Sequence, residues 1–361
     1  MIVNIQLIPS FFEWIQIKAI NNVNFPIKML VFVFVGDYTI MKKRSNTLIN
    51  ITVFLCSIQL FSCSIFTAIA KDVKIVVVKS KDLLQYNKSF DGFREELRKA
   101  GVNFQAKMYS LDKSYQPIAE IVTEIIREKP DLILTIGTKA SQEISQRISD
   151  LPILFSIVLD PEAQGLKHST ARPLKNLSGV CLDIPVEIQF KVLKQALFDL
   201  KRIAVLYHPS QDSVMIERAK ETATKLGIEL IGGEIKSEED IPPTLKSIRS
   251  KSDVLWLITN PQTVSYSSLK YILMFCISNN FPIIGLSEFH VKAGALLALR
   301  ADYYDTGRQV GKLALEILHK GLPDGQIIIA PRKTRLFVNK KMTEMMGIEI
   351  PATILKQAEQ I

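Results

Sequence analysis

Short polar segments follow several apolar runs of this chain, and their residue types suit the binding of a small charged molecule. Gly137 and Thr138 come directly after the apolar run at 132–136 and before a helical pattern. Thr138 is suited to cap that helix, whose first free N–H groups would attract an anion such as a carboxylate. A plain capped turn explains the same residues. Other polar residues at strand ends are Asp160, Tyr207, Ser210, Asn260 and Glu288.

Motifs for catalysis and for metal binding are absent from the sequence. It contains no Walker A loop, no G-x-G-x-x-G after a strand, no G-x-S-x-G and no H-E-x-x-H. The four histidines are widely separated and lack ligand spacing. We therefore expect no catalytic residue, no metal and no cofactor. His208 with Glu288 is the pair that would serve the alternative, an α/β enzyme acting across a cleft.

The charge of the chain argues against nucleic acid as a partner. The formal net charge is +9, but Lys and Arg are scattered among almost as many carboxylates, and no long basic run occurs. Charges distributed in this way are typical of a solvated surface, whereas nucleic-acid binding needs a clustered patch. We expect no nucleic-acid partner.

The segment at 41–70 has the order of a secretory signal peptide. A basic stretch at 41–44 precedes a largely apolar run at 48–67, and small residues at Ala68 and Ala70 suit signal peptidase. We expect an exported protein, in the periplasm or at the outer face of the cytoplasmic membrane. Residues 1–40 then have no evident use, and we interpret them as a mis-assigned extension before a true start at Met41. A start at Met1 and an uncleaved membrane anchor stay open.

The cysteines allow two further interpretations. Cys63 ends a segment that resembles a lipobox, but Phe61 is bulky for that motif, so we favour cleavage after Ala70 and keep a lipid anchor at Cys63 as the alternative. Cys181 and Cys276 remain in the mature chain. A disulfide between them is conceivable in an oxidising compartment. We expect buried free thiols instead.

From residue 71 onward, apolar runs with strand character alternate with amphipathic helical patterns. Examples are the runs at 74–78, 132–136 and 203–207, each followed by a helix with apolar residues three and four apart. Such alternation predicts parallel strands joined by helical crossovers. The strands are too many for one comfortable sheet, so the sequence predicts an α/β protein with two lobes and a break near 182–185.

Six segments carry a resemblance to a known family. The mature chain resembles ABC-transporter substrate-binding proteins with the type I periplasmic-binding fold, in particular the group with tryptophan- and other aromatic-amino-acid-binding lipoproteins. Each segment is weak alone, but they follow the family's order along nearly the whole mature chain. They are IGTKA (136–140), VLDPEAQGL (158–166), NLSGV (176–180), KRIAVLYHPS (201–210), VKAGA (291–295) and DYYDTGRQ (302–309).

The resemblance implies two Rossmann-like lobes with parallel sheets, joined by a three-segment hinge. We expect the N-terminal lobe at 71–182 and 302–327, and the C-terminal lobe at 183–301 and 328–361. The hinge is expected near 182–183, at 301–302 and after Gly321. The lobes would close on a solute, because a ligand that touches both favours the closed state.

The resemblance also implies the ligand contacts. They are Gly137, Thr138, Ala140 and Asp160 from the first lobe, and Tyr207, Ser210, Asn260 and Asp302 from the second lobe and the hinge. In the pose we expect, a carboxylate sits on helix N–H groups and an ammonium on Asp302 or Asp160. The leading solute is an aromatic amino acid, with Tyr86 and Tyr207 as stacking candidates.

Two departures from the family pattern bear on the identity of the solute. His208 stands where the family usually has Asn, and Thr259 precedes Asn260 where an Asp is common.

The implied partners are a small-molecule solute and the permease and ATPase of an importer, with the protein itself a monomer. It would meet the membrane only through the permease or a lipid anchor. Delivery of the solute to a sensor kinase is the runner-up, and a repressor is disfavoured because a leader occupies the place of its DNA-binding segment.

Overall fold

The computed structural model describes residues 72–114, 116–167, 174–259 and 265–361. The leader at 41–70, with its alternatives at Cys63 and Ala70, and the candidate Asn260 lie outside the described residues. Residues 71–361 cluster as one unit.

The first part of the unit alternates strands and helices as predicted. Apolar runs such as 132–136 are buried along their whole length, which is what a parallel strand covered on both faces requires. The edge strand is more polar and more exposed. The elements are β1 (Val73–Lys79), α1 (Leu84–Lys99), β2 (Phe104–Ser110), α2 (Ile118–Glu128), β3 (Leu132–Ile136), α3 (Thr138–Ser145), β4 (Ile153–Val158) and β5 (Leu177–Cys181).

The second part repeats the alternation. Phe190 and Trp256 pack edge to face with ring centroids 4.9 Å apart, which fixes its first helix against the sheet. The elements are α4 (Val186–Ala196), β6 (Arg202–Tyr207), α5 (Ser213–Lys225), β7 (Glu229–Glu234), a 3-10 turn (Glu238–Asp240), α6 (Ile241–Arg249), β8 (Val254–Trp256), α7 (Tyr266–Ser278), β9 (Ile283–Gly285), α8 (Glu288–Lys292) and β10 (Leu297–Ala301).

The remaining chain contributes to both sheets. Its elements are α9 (Tyr303–Lys320), β11 (Ile328–Ile329), β12 (Thr334–Val338), α10 (Lys340–Met346), α11 (Ala352–Leu355) and β13 (Ala358–Gln360). The first sheet has the order β11-β5-β4-β3-β1-β2, and the second has the order β13-β12-β10-β9-β8-β6-β7. All pairs are parallel except β10 with β12. The α/β class with two mostly parallel sheets is confirmed.

The chain passes between the two sheets three times. It leaves the first sheet after β5, returns after β10 through α9, which packs on the first sheet, and leaves again between β11 and β12. One expected boundary differs from the structure. Residues 328 and 329 were expected in the second lobe, but they pair with Gly179 and Val180 of β5, because the first sheet gains an edge strand before the last crossing.

A seam of glycines brings α1 and α9 into close contact. A Cβ at Gly307 of α9 would lie 1.8 Å from the carbonyl oxygen of Ser89 in α1, and one at Gly92 of α1 would lie 1.9 Å from that of Tyr304. No side chain fits at these distances, so glycine sets the spacing of the two helices. Since α1 carries Tyr86 and α9 begins after Asp302, the seam also sets the relative position of two candidate residues.

Candidate functional site

The turn between β3 and α3 is built by residues of three segments. Gly137 has a φ of +94°, in the region that favours glycine, and a Cβ there would lie 2.5 Å from the Tyr86 hydroxyl and 2.7 Å from Ser80 Oγ. Ser80, at the end of β1, accepts a hydrogen bond of 2.8 Å from the Ala140 N–H. The structure therefore brings Tyr86, Gly137 and Ala140 together at the carboxyl ends of β1 and β3.

Two expectations about this turn are wrong. Gly137, and not Thr138, is the N-cap of α3, and the Thr138 side chain does not cap the helix. The Ala140 N–H is not open to a ligand carboxylate, because Ser80 already accepts from it. Among the described residues, the N–H groups of Thr138 and Lys139 have no acceptor, so an anion could approach only the first two residues of the helix.

Tyr86 lies at the start of α1 and is half buried. Burial raises the pKa of its hydroxyl, and the nearby Tyr303 and Asp112 raise it further, so the phenol is neutral at physiological pH. Tyr303 packs on the same apolar cluster as Tyr86. Tyrosines from α1 and α9 thus pack on one apolar cluster, close enough for Tyr303 to act electrostatically on Tyr86.

Asp160 is tied to the first crossing between the sheets. Its backbone is left-handed, with a φ of +47°, and its N–H donates to both carboxylate oxygens of Asp183 at 3.1 and 2.9 Å. One of its own carboxylate oxygens accepts from the Ala163 N–H at 3.0 Å. Burial raises the pKa of Asp183, and the negative charge of Asp160 adds to that effect. Asp160 therefore holds a loop in shape and keeps one carboxylate oxygen for another partner.

Tyr207 and Ser210 form hydrogen bonds with residues of the second sheet and its loops. The Tyr207 hydroxyl donates to Glu234 at 3.0 Å, and its ring covers Gly232 of the neighbouring strand β7. Ser210 is exposed and hydrogen-bonds His208 Nδ1, with 3.0 Å between the two atoms. Among the described residues, no hydrogen bond joins either side chain to Tyr86, Gly137 or Ala140.

Glu288 begins α8 and pairs with Lys292 at 2.6 Å. This ion pair holds the pKa of the Glu288 carboxyl below its usual value. Since His208 bonds Ser210 instead, the structure does not assemble the His208–Glu288 pair that an enzyme would need.

Asp302 uses both carboxylate oxygens inside the protein. Oδ1 caps α9 by accepting from the Asp305 N–H at 3.1 Å, and Oδ2 meets Arg335 Nε at 3.1 Å. Burial alone would raise the pKa of Asp302, but these two donors hold it below its usual value. Asp302 is therefore charged and already partnered, and its first role is to fix the second crossing.

Three residues near the Gly137 turn and Asp302 were not predicted from the sequence: Ser80, Tyr303 and Arg300. Ser80 ends a predicted strand, so the rule that selected Thr138 could have found it. Arg300 interrupts the apolar run of β10, and a charge in a buried strand is itself a signal. Its guanidinium carbon lies 4.2 Å from the centroid of the Tyr303 ring and 5.0 Å from that of Phe337.

Cys181 and Cys276 are free and buried, as expected. Burial raises the pKa of each thiol to about 12, so neither forms a reactive thiolate at neutral pH.

The described residues contain neither a metal-binding group of side chains nor a helix able to span a membrane. Within 72–361, apart from the gaps given above, no three His, Cys, Asp or Glu side chains form a group able to hold a metal ion. None of the helices in the same ranges has both the length and the apolar character needed to cross a membrane.

Comparison with known proteins gives consistent matches. Residues 72–361 match the family model described as ABC transporter substrate binding protein. A tyrosine-binding protein of Clostridioides difficile is 26% identical over 254 residues, which are 70% of this chain and 73% of the relative.

Two solved structures share the fold. One is the ligand-free, open structure of a substrate-binding protein with adhesive properties from Clostridium difficile, with a TM-score of 0.64 and 24% identity over 80% of this chain and 99% of that one. The other is an ABC domain in complex with L-Trp from Streptococcus pneumoniae, with a TM-score of 0.53 and 24% identity over 79% of this chain and 99% of that one.

Proposed function

Since the chain belongs to the family of ABC transporter substrate-binding proteins, we propose that it is the extracytoplasmic solute-binding component of an ABC importer. Its solute is an amino acid, with aromatic amino acids first among the candidates. It hands that solute to a permease driven by an ATPase, works as a monomer and catalyses no reaction.

Two relatives support an aromatic amino acid. One is named for tyrosine binding and the other was solved with L-Trp. In this chain, the half-buried Tyr86 lies against the Gly137 turn and offers an aromatic face at the carboxyl ends of parallel strands, which is where α/β sheets bind ligands. This arrangement of Tyr86 and Gly137 is the observation that carries the proposal.

Capture by closure is the mechanism that the fold favours. Three connections link the two sheets, so one lobe can rotate on the other through a few residues of each connection. A solute that touches both lobes stabilises the closed state by the difference between its affinities for the two states. A micromolar dissociation constant corresponds to about −8 kcal/mol, which an aromatic pocket with a few charged contacts can supply.

Asp160, Thr138 and Ser210 remain candidates for contact with the solute, as do Tyr207, Asn260 and Glu288. Asp160 keeps one carboxylate oxygen free to accept from an ammonium group, whereas Asp302 would have to add a third donor to the two it already binds. The amine of an amino acid is therefore assigned to Asp160 in preference to Asp302.

The test is a calorimetric titration of the purified protein with L-tyrosine and L-tryptophan, with a nucleoside and a sugar as unrelated ligands. Replacing Tyr86 with Ala should weaken aromatic amino-acid binding at least about tenfold, since it removes a ring contact in a desolvated site. Tyr266→Ala is the matched control, because Tyr266 is 84% exposed on α7 and should leave affinity unchanged.

Small-angle scattering of the same samples tests closure. The radius of gyration should fall when the amino acid that binds is added, and it should stay constant with ligands that do not bind. Binding of the nucleoside or the sugar in place of any amino acid, or steady turnover of a bound compound, would overturn the proposal.

A further inference from the structure

The geometry points to Arg300 as the residue that receives the anionic group of the solute, a carboxylate. This inference rests on the proposed solute-binding function and deepens it, because it names the group of the solute that the protein reads. It also differs from the pose expected from the sequence, in which the carboxylate lies on the start of α3.

Arg300 is the penultimate residue of β10, next to the second crossing between the sheets. On its strand, Ala298 lies on the same face and packs with Val291 and Phe337, so the aliphatic stem of Arg300 continues a small apolar cluster. Its cross-strand neighbour is Arg335 of β12. The guanidinium thus lies at the carboxyl end of a strand that leads directly into α9.

Two aromatic rings hold the guanidinium. Its central carbon is 4.2 Å from the Tyr303 centroid and 5.0 Å from the Phe337 centroid. Both are within the range of a cation–π contact, and stacking keeps a planar guanidinium in one orientation while its edge stays available for hydrogen bonds. Arg300 is therefore positioned before any ligand arrives.

The Arg300 Nε is buried and has no hydrogen-bond partner among the described residues. A buried donor of a charged group that lacks an acceptor is costly, and native proteins rarely leave one without a purpose. Arg300 as a whole is only half buried, so a carboxylate can approach the terminal nitrogens of the guanidinium, whereas Nε itself is closed to solvent and gains an acceptor only if its surroundings shift when the solute binds.

The carboxylates near Arg300 already have partners. Asp302 pairs with Arg335, and Asp305 pairs with Arg332 through two bonds of 2.7 and 2.8 Å. Glu288 pairs with Lys292. Each of these acids thus has a direct cationic partner other than Arg300, although Arg335 is shared with Glu359. None of the ion pairs among the described residues uses Arg300, so its guanidinium remains open to a direct contact with the solute.

Arg300 is connected to the Gly137 turn through tyrosines. Its ring partner Tyr303 packs on the same apolar cluster as Tyr86, whose hydroxyl reaches the Gly137 turn. A solute between these groups would have its aromatic part near Tyr86 and its carboxylate at Arg300. Lys88 of α1 and Arg300 both help to lower the pKa of Glu288, so the local field favours negative charge.

The experiment compares three probes that differ in charged groups: L-tyrosine, L-tyrosinamide and 3-(4-hydroxyphenyl)propanoate. The wild-type protein should prefer L-tyrosine over L-tyrosinamide. Arg300→Met should weaken L-tyrosine and the propanoate by about 10- to 100-fold, the loss expected for a charge-assisted hydrogen bond. It should leave the amide unchanged, so the preference for the acid disappears. Arg300→Lys should restore only part of it, because Lys lacks the planar fork.

Two further variants make the result specific. Arg202→Met removes the same charge at the opposite, amino end of the parallel strands and should keep the wild-type preference for the acid. Thr138→Pro removes one of the two open N–H groups at the start of α3, where Pro is tolerated as the first helical residue. If Thr138→Pro abolishes the preference and Arg300→Met does not, the carboxylate lies on α3 and the inference is overturned.

The outcomes separate this inference from the proposed function. L-tyrosine binding with an unchanged preference in Arg300→Met overturns the role of Arg300 and leaves the amino-acid proposal standing. Binding of the propanoate but not of L-tyrosine, lost in Arg300→Met, supports Arg300 and overturns an amino acid as solute. Failure of the wild-type protein to bind any of the three probes overturns the assignment of Arg300, and failure to bind L-tryptophan as well overturns the proposed aromatic solute.

Discussion

Replacing Gly307 with Ala should separate α1 from α9 and destabilise the first sheet. The new Cβ would lie 1.8 Å from the Ser89 carbonyl oxygen, whereas ordinary contact begins at 3.4 Å, so the helices must move apart by 1.6 Å, the difference of the two distances. Neither partner can rotate away, because the obstructing atom belongs to the backbone of α1.

The expected loss is the difference of two opposing effects. Overpacking of this kind costs about 1–3 kcal/mol, and a backbone neighbour puts Gly307 at or above the upper end. Ala is favoured over Gly inside a helix by about 1 kcal/mol. The net result is a loss of about 2 kcal/mol in the free energy of unfolding, or about 4–8 °C in Tm.

A series of Gly→Ala variants with different Cβ contacts tests whether the loss of stability follows the steric overlap. A Cβ at Gly92 meets the Tyr304 carbonyl oxygen at 1.9 Å and should cost as much as one at Gly307. At Gly311 the nearest atoms are the Glu96 Cβ at 2.7 Å and the Phe93 carbonyl oxygen at 3.1 Å, so the overlap is smaller than at Gly307 and the helix preference should offset more of the cost. Gly325 has no atom within 4 Å of a built Cβ and serves as the control.

Urea unfolding followed by circular dichroism at 222 nm measures all four variants. The stability should fall in the order Gly325→Ala, Gly311→Ala, then Gly92→Ala and Gly307→Ala together. A Gly307→Ala protein as stable as wild type, or a Gly311→Ala protein less stable than Gly307→Ala, would refute the idea that backbone contact sets the helix spacing.

Three further predictions concern buried groups. Arg332→Met should lower the free energy of unfolding by about 3 kcal/mol in a urea titration, because it leaves the Asp305 carboxylate buried without its partner, and the double variant with Asp305→Asn should recover much of the loss. Burial lowers the pKa of His290, whose Nδ1 accepts from the Leu286 N–H. The neutral imidazole therefore contributes its full share of the folding stability above the unfolded pKa of 6.5, and this share is lost as the pH falls through the folded pKa. Between pH 7 and 5, the free energy of unfolding should depend less steeply on pH in His290→Asn than in the wild type. The thiols of Cys181 and Cys276 should react with a thiol reagent in denaturant but not in the native state, and fast native labelling would contradict their burial.

The strands were predictable because burial on both faces leaves a continuous apolar run. β3 begins and ends where the sequence predicts, and α9 begins one residue earlier than the apolar spacing indicates. β11 was not predicted, because a strand of two residues is too short to produce a pattern. The glycine seam also escaped prediction, since it depends on which helices meet.

The candidate site was predictable in location but not in its bonding. Strand ends identified the Gly137 turn, and the structure gathers Tyr86 there. The partner of the Ala140 N–H is Ser80, which is 60 residues away, and the partner of Asp302 is Arg335, which is 33 residues away. Local sequence carries no record of such distant partners, so which groups stay open to a ligand required the three-dimensional arrangement.

The triple passage between the sheets has a consequence for how the chain is made. The helix α9 and the strand β11 belong to the first sheet, but the ribosome synthesises them after every strand of the second sheet up to β10. Until α9 has emerged, Phe93 and Leu134 lack the apolar cover that Val310 and Ala314 provide. The nascent polypeptide therefore cannot complete its first half until most of the chain has been synthesised.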